Sequence, residues 1–394
     1  MLDVVDAWRR SEERGEPAVL ATVVGVQGSG YRRPGARLLL TANGQTVGTI
    51  SGGCIESDIA RRGWWLTASG RPIIVSYDAG EVDEGDGDPG SGCGGVISVL
   101  LEQLTPQGEP HPLHVIEAVH RARRPGVVVT ALDDHPAVGP LGAHCLVFPD
   151  GVVSPSVPCR DVTALRTVAE HAIASGPREG VCTTTVAGVP VLVEVVPPPP
   201  SLVVFGTGAD AQALVVFAKA LGWDVTVTGS HAVRARPERF PQADRVVLTS
   251  PDDPLAGVPL DARTAAAVMT HSLALDRAIL HALRRVPLRY LGLLGPRHRA
   301  DRVLAELFDG DTAGLARLRA RIHSPIGLDI GAEGPSEIAL AIVAEIRAVL
   351  ASRAGGHLRQ RSAPLHGAQP VLLAPSPGGH VTALARRSAT GGRR

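Results

Sequence analysis

The spacing of apolar and polar positions changes about halfway along the chain. Up to residue 200, short apolar runs such as 18–26 and 96–101 alternate with glycine-containing turns, which is typical of β-strands. Beyond it, strand-like runs alternate with longer helical patterns, and this alternation predicts a parallel sheet covered by helices. We therefore predict an α/β protein: an N-terminal β-rich α+β module with a degenerate second copy, then a C-terminal Rossmann-like doubly wound parallel-sheet domain.

The first half contains an internal repeat. Residues 124–131 parallel residues 16–23, and residues 141–147 parallel residues 34–40. The second copy lacks the double glycine and the arginine triplet of the first, so we expect one working site; chance similarity of β-rich sequence is the alternative. The predicted segments are an N-terminal module over 1–105, its degenerate second copy over 106–196, a proline linker over 197–200, a Rossmann-like domain over 201–355 and a disordered basic tail over 356–394.

Charge and composition exclude several classes of protein. Lys+Arg and Asp+Glu both number 39, so the chain has no excess positive charge that would favour binding to nucleic acid. The single lysine, Lys219, excludes a Walker A loop. No apolar run is long enough for a membrane span, and the first residues do not form a signal peptide. Five cysteines without C-x-x-C spacing are typical of reduced thiols, so we expect a cytoplasmic protein.

The stretch around Gly52-Gly53-Cys54 is the main candidate site. The two glycines allow a sharp turn and a close approach of backbone to a ligand. A helical pattern follows, so Cys54 is predicted at a helix N-terminus, where backbone N–H groups and the dipole stabilise a thiolate. Glu56 falls in the first turn of that helix. A buried structural cysteine in a tight turn is the alternative reading.

Two further loops in the same module carry candidate ligand contacts. The loop over 32–37 holds Arg32, Arg33 and Arg37, and such loops bind anions through guanidinium groups and backbone N–H groups. Solvated arginines in an exposed turn are the alternative. The second glycine-flanked cysteine is Cys93, which Gly94 follows.

A dinucleotide fingerprint opens the second half, but one part of it is missing. Gly206-x-Gly208 stands between a strand and a helix, as in a Rossmann unit. The acid expected after the next strand is replaced by Gly229, which argues against ordinary NAD binding and leaves NADP, another phosphorylated ligand or a vestigial site. His271 is predicted at the carboxyl end of a later strand, where open α/β sheets bind ligands.

Together these motifs resemble the XdhC/CoxI family, which are accessory proteins of molybdenum hydroxylases. The resemblance covers residues 1 to about 355 and keeps both halves in the family's order. It is carried by Gly48–Asp58, Gly92–Gly95, the arginine loop over 32–37, Gly206-x-Gly208, Tyr290–Gly295 and His323–Gly331.

The resemblance implies a chaperone, rather than an enzyme, that binds molybdenum cofactor as molybdopterin or its dinucleotide form. Such a protein protects the cofactor while its sulfido ligand is installed and delivers it to an apo molybdenum hydroxylase of the xanthine dehydrogenase or carbon monoxide dehydrogenase type. It also implies a cysteine desulfurase partner and a homo-oligomer. The candidate cofactor contacts are Cys54, which is also the candidate metal ligand, Cys93, Gly52, Gly53, Glu56, Arg32, Arg33, Arg37, Gly94, Gly206, Gly208, His271 and His323.

Two other functions are compatible with the residues alone. An NADP-linked oxidoreductase would use the Rossmann-like half, and a pure scaffold would bind neither a dinucleotide nor a pterin.

Overall fold

The computed structural model describes residues 1–28, 32–78, 95–156, 162–174, 180–308, 311–362 and 380–382. The described chain divides into two compact units. One consists of Met1–Pro198 together with 380–382, and the other is Pro199–Ala363. The division falls within the run of prolines at 197–200.

The first unit begins with a five-stranded antiparallel arrangement. Alternate residues of its central strand, such as Val19 and Ala21, face a helix through Ile55 and Ile59. Its strands lie in the order β4-β5-β1-β2-β3. The elements are α1 (Leu2–Glu13), β1 (Ala18–Gly28), β2 (Arg37–Thr41), β3 (Thr46–Gly48), α2 (Cys54–Leu66), β4 (Ile73–Asp78) and β5 (Gly95–Leu104).

A second arrangement of the same kind follows. Its strand order is β9-β10-β6-β7-β8, which is the order of the first sheet element by element. This agreement supports the interpretation of 106–196 as a second copy of the module. The elements are α3 (Pro112–Ala122), β6 (Gly126–Ala131), β7 (His144–Val147), β8 (Val153–Pro155), α4 (Val162–Ala174), β9 (Val181–Val186) and β10 (Val189–Val196).

The two copies share one core between their sheets. Leu20 and Leu39 of the first sheet belong to the same buried cluster as Val128 and Leu146 of the second, and α1 and α3 contribute to it. Helices α2 and α4 cover the opposite, outward faces of their own sheets. Burial of these apolar side chains supplies the main driving force for joining the copies.

In this shared interior, two side-chain pairs connect one copy to the other, and each pair joins a carboxylate to an arginine or a histidine. Arg37 donates from Nη1 to Glu194 Oε1 at 2.9 Å and from Nη2 to Glu194 Oε2 at 2.5 Å. His144 Nε2 lies 2.8 Å from Glu102 Oε2. All four side chains are buried. A buried charge without a partner is strongly unfavourable, so each copy depends on the other for these contacts.

The four side chains stand at corresponding positions of the repeat. Arg37 and His144 are each the first residue of the second strand of their copy, and each lies opposite a threonine of the central strand. Glu102 and Glu194 occupy matching positions in β5 and β10, each opposite an apolar residue of the central strand. The copies are therefore related by pseudo-twofold symmetry down to single side chains.

The second unit contains a six-stranded parallel sheet in the order β13-β12-β11-β14-β15-β16. The chain runs outward from β11 to β13 and then returns to β14, so the topological switch point lies between β11 and β14. Helices α5 and α9 pack on one face, and α6, α7 and α8 on the other. The predicted Rossmann-like doubly wound fold is confirmed. The elements are β11 (Ser201–Phe205), α5 (Ala209–Ala220), β12 (Asp224–Gly229), β13 (Arg245–Leu248), β14 (Thr264–Val268), α6 (Leu273–Leu283), β15 (Tyr290–Leu293), α7 (Arg297–Leu307), α8 (Thr312–Arg319), β16 (Ile322–His323) and α9 (Pro335–Leu350).

The predicted disordered tail contains two short ordered elements in its described part. Leu358–Gln360 form one turn of 3-10 helix. Residues His380–Thr382 form a strand, β17, that pairs in parallel with β4 at the edge of the first sheet. A three-residue strand is too short to show a period, and the open edge of β4 supplies the partner that the local sequence could not reveal. Most of the other residues of 356–394 lie outside the described ranges.

Replacing Glu194 by Gln tests the cross-copy pairing. The change removes the carboxylate that pairs directly with the buried guanidinium of Arg37, so we expect the free energy of unfolding to fall by about 3–5 kcal/mol. Urea titration followed by circular dichroism measures this. The matched control is Glu170→Gln in the exposed Arg166–Glu170 pair of α4, where we expect a change within about 0.5 kcal/mol. Equal, small effects of both changes would contradict a structural role for the pair.

Candidate functional site

The loop before α2 is closed around the carboxylate of Glu56, the third residue of the helix. Glu56 Oε1 accepts hydrogen bonds from Ile50 N at 2.9 Å, Ser51 N at 2.7 Å and Thr49 Oγ1 at 2.8 Å. Oε2 accepts from Gly53 N at 3.1 Å and from the Ser51 hydroxyl. Partial burial acts to raise the pKa of Glu56, but the hydrogen bonds from Ser51 and Ile50 outweigh it and lower the pKa to about 2. An ionised carboxylate therefore holds the loop from within.

Cys54 lies at the first position of α2, as predicted, and its thiol is free and exposed. The alternative of a buried structural cysteine does not fit this exposure. Gly53 has φ of +127°, a conformation that other residues rarely adopt. A Cβ added at Gly52 or Gly53 would meet nothing within 4 Å, so the backbone beside the thiol faces open space. The loop thus presents a thiol and bare backbone side by side.

The strand register places several loops at the same end of the first sheet. Gly28 of β1 pairs with Gly95 of β5, and Leu38 of β2 pairs with Gly48 of β3. The arginine loop connects β1 to β2 at this end, and the Cys54 loop leads from β3 to α2 at the same end. Arg32 and Arg33 are exposed there. The predicted contacts Cys93 and Gly94 lie outside the described residues.

Two of the predicted ligand contacts prove to serve the framework instead. Arg37 was expected to meet an anion in the loop, but its side chain is only 1% exposed and is paired with Glu194. The reason is its place in β2, on the inward face of the sheet. Both carboxylate oxygens of Glu56 accept hydrogen bonds from the loop itself, so this residue positions Cys54 rather than facing a ligand.

The switch point of the second unit carries the predicted glycines and His271. Gly206 has φ of +148°, and a Cβ there would come within 2.4 Å of the Met269 carbonyl oxygen, so only glycine allows the ends of β11 and β14 to approach. Gly208 is the N-cap of α5. The His271 side chain is 62% exposed, and its Nε2 lies 3.7 Å from Asp210 Oδ2 in the first turn of α5.

The crevice at this switch point is poorly suited to NAD. A Cβ added at Gly229, where the ribose-binding acid would stand, would lie 2.6 Å from Thr207 Cγ2. The methyl group of Thr207 therefore occupies that space. The carboxylate of Asp210 also stands in the first turn of α5, where a dinucleotide pyrophosphate would bind. The Thr207 methyl group excludes the acid by steric contact, and the Asp210 carboxylate repels a pyrophosphate of the same charge. Both features therefore act against dinucleotide binding, which the glycine fingerprint suggested.

A buried carboxylate that sequence reasoning missed holds the loop carrying His271. Asp276 accepts from Thr270 Oγ1 at 2.6 Å and from Arg299 Nη2 at 2.7 Å. Its side chain is buried. These bonds fix the loop in which His271 takes a left-handed φ of +60°. In the sequence, Asp276 resembles an ordinary first-turn acid, and nothing there indicates its pairing with Arg299.

His323 belongs to a separate cluster two strands away from His271. Its ring stacks on Tyr290 with centroids 4.5 Å apart, and its Nδ1 lies 3.1 Å from Glu345 Oε1. Glu345 also accepts from the Tyr290 hydroxyl and from Gly327 N at 2.9 Å. Burial acts to raise the pKa of Glu345, but hydrogen bonds from His323 and Tyr290 lower it overall. The cluster fastens the 323–331 loop to α9.

Within the described ranges, no helix has the length and apolar character to cross a bilayer. No group of three or more His, Cys, Asp or Glu side chains is placed to hold a metal ion in the part of the chain that the structure describes.

Comparison with known proteins identifies relatives of both units. Residues 11–78 match the sequence model of the XdhC and CoxI family, and residues 202–346 match that of the XdhC Rossmann domain. The chain is 32% identical over 337 residues to a probable xanthine dehydrogenase subunit of Bacillus subtilis (strain 168), covering 85% of this chain and 93% of that protein. It is 24% identical to the molybdenum cofactor insertion chaperone PaoD of Escherichia coli (strain K12), covering 85% and 84%. A crystal structure of a xanthine dehydrogenase from Bacillus halodurans is similar with a TM-score of 0.71 and 28% identity, covering 92% of this chain and 98% of that one.

Replacing Glu56 by Gln tests whether its carboxylate holds the Cys54 loop. The amide group cannot accept all five hydrogen bonds, so we expect the amides of Ile50, Ser51 and Gly53 to exchange at least tenfold faster, a loss of about 1–3 kcal/mol of local stability. Hydrogen exchange measures this, with Glu13→Gln at the end of α1 as the control. Because the pKa of Glu56 is lowered from 4.5 to about 2, its contribution is present above pH 4.5 and is lost as pH falls towards 2. Unchanged exchange in the variant would contradict the role.

Replacing Gly229 by Asp tests whether the crevice excludes the dinucleotide. The restored acid would collide with Thr207, so we expect a loss of about 1–3 kcal/mol in unfolding free energy and no gain of NAD binding by calorimetry. Adding Thr207→Gly should recover part of the stability. Micromolar NAD binding by the unaltered chain would show that the crevice accepts the dinucleotide after all.

Proposed function

The chain belongs to the XdhC and CoxI family, and we propose that it is an accessory protein that binds molybdenum cofactor and inserts it into a xanthine dehydrogenase-type molybdenum hydroxylase. The relative named as a molybdenum cofactor insertion chaperone supports this role. Cofactor is thus the cargo of the protein, to be released into the enzyme.

One observation carries the proposal: an exposed thiol, Cys54, on a loop that is already locked before any ligand binds. Thiolate is a soft ligand that suits a molybdenum centre. The open backbone at Gly52 and Gly53 leaves room for the pterin of the cofactor to approach closely. Exposed Arg32 and Arg33 at the same end of the sheet suit the cofactor phosphate.

The chemistry of the cargo accounts for a site with few protein ligands. The cofactor brings its own dithiolene sulfur ligands, so a carrier needs to add only one or two contacts to the metal. A lone thiol is sufficient for this, and weak attachment favours release to the enzyme. In this role Cys54 contacts the metal or receives sulfur from a cysteine desulfurase, and Cys93 is the second candidate thiol.

We propose that the cofactor is delivered sulfurated, as molybdopterin or its dinucleotide, and is shielded from water until transfer. A carbon monoxide dehydrogenase-type enzyme is the other recipient class. A homo-oligomer remains a prediction. An NADP-linked oxidoreductase is disfavoured by the Asp210 carboxylate at the phosphate end of the crevice.

Replacing Cys54 by Ser tests the function directly. We expect a folded protein that loses most, about tenfold or more, of its bound molybdenum and of its activation of apo enzyme, because the hydroxyl is a poor soft-metal ligand. Metal analysis of protein isolated with its cofactor measures the first quantity, and activity of the recipient enzyme measures the second.

The chain offers a matched control in Cys182, an exposed free thiol in the second copy. Although the residue is exposed, desolvation of its thiol raises the pKa of Cys182, so it should react slowly. Its replacement by Ser should leave loading unchanged. Iodoacetamide should label Cys54 in the apo protein and be blocked by cofactor. Full loading in Cys54→Ser would show that Cys93 or the backbone loops make the contact.

A further inference from the structure

Helix α2 carries an exposed tryptophan on the same side as the Cys54 thiol. Trp65 is 73% exposed, whereas its neighbour Trp64 packs against the core. Among the exposed large apolar side chains of the described residues, Trp65 has the largest exposed fraction. Tryptophan is also the residue type most enriched at the energetic centres of protein interfaces.

Helical geometry aligns Cys54, Arg61 and Trp65 in one stripe. At about 100° per residue, Arg61 and Trp65 each lie within about 20° of the line through Cys54. The rise of about 1.5 Å per residue puts Trp65 about 16 Å along the helix from the thiol. The buried residues Ile59 and Gly63 lie on the opposite side of α2. The stripe, defined as Cys54, Arg61 and Trp65, therefore lies on the outer, exposed side of α2.

Exposed charge on this stripe is positive. The Arg61 side chain is 72% exposed, and Arg61 and Arg62 both donate to Asp58 at 2.8 and 2.5 Å. Tyr77 also donates to Asp58, at 3.0 Å, so this acid is largely enclosed. Glu56 is occupied within the loop. A partner surface with acidic groups around an apolar pocket would complement the stripe.

The second copy supplies an internal comparison. Leu165 and Ala169 of α4 are buried as Ile59 and Gly63 are in α2, which aligns the two helices. In that alignment, Thr167 stands in place of Arg61 and His171 in place of Trp65. Both copies keep the buried side of the helix, but only the copy with the Cys54 loop has an arginine and a tryptophan at these two positions. The stripe is thus tied to the working site rather than to the fold.

We propose that the stripe is the docking surface for the molybdenum hydroxylase that receives the cofactor, an inference that rests on the proposed function. Direct transfer requires the recipient to reach Cys54, and the stripe extends from that thiol along one exposed helix face. Trp65 would insert into an apolar pocket of the enzyme, and Arg61 would meet its acidic rim.

Binding of the purified apo form of a xanthine dehydrogenase-type enzyme from the same organism, measured by biolayer interferometry, tests the docking surface. We expect Trp65→Ala to weaken binding at least tenfold and Arg61→Ala to weaken it several-fold, the latter most strongly at low salt. The matched control, His171→Ala on α4, should bind like the unaltered chain. Trp65→Ala should still carry the full complement of molybdenum, which separates docking from loading.

Photo-crosslinking from position 65 identifies the occupant. Crosslinks to the apo enzyme support the proposal, whereas crosslinks to another copy of this chain overturn it, as does unchanged affinity of Trp65→Ala. An unaltered chain that carries molybdenum but does not bind the enzyme overturns the docking surface alone. A chain that neither carries molybdenum nor binds the enzyme overturns the proposed function as well.

Discussion

The buried side-chain pairs that cross between the two module copies are the constraint on which the first unit depends. The guanidinium of Arg37 belongs to the first copy and its carboxylate partner, Glu194, to the second. The reciprocal pair, Glu102 and His144, runs the other way. Separating the copies would expose an apolar face and leave both pairs broken, which is far less favourable than breaking surface pairs. This explains why a second copy without a double glycine is retained: it completes the interior of the first.

Symmetry in the interior contrasts with divergence at the outer loops. The paired carboxylates, Glu102 and Glu194, are the same in both copies, but the helix that follows the third strand differs. In α2, Glu56 locks the loop that presents Cys54, whereas Val162 takes the corresponding place in α4 and provides no carboxylate. A shared framework therefore carries one specialised loop and one plain one. Function lies in the site rather than in the fold that bears it.

Local pattern in the sequence was sufficient for the strands, the repeat and the Rossmann-like unit, because period-two alternation and glycine turns are short-range signals. Arg37 was misplaced because three arginines within six residues indicate an exposed loop, and its partner is 157 residues away. One signal could have found the pair. Glu194 stands among apolar residues in a buried strand, where a lone acid requires a buried cation. Asp276 and Arg299 carried no such signal, since each is ordinary for its helix.

The two units use the same physical device at their candidate loops. In the first, Glu56 gathers donors from the loop backbone behind Cys54; in the second, Asp276 binds Thr270 and Arg299 behind His271. Each carboxylate fixes a loop from within and leaves one exposed side chain, Cys54 or His271, facing outward. A loop ordered before binding loses little entropy when a ligand arrives. Such preorganisation lets a carrier hold its cargo through few direct contacts, and few contacts are what permit the cargo to be passed on.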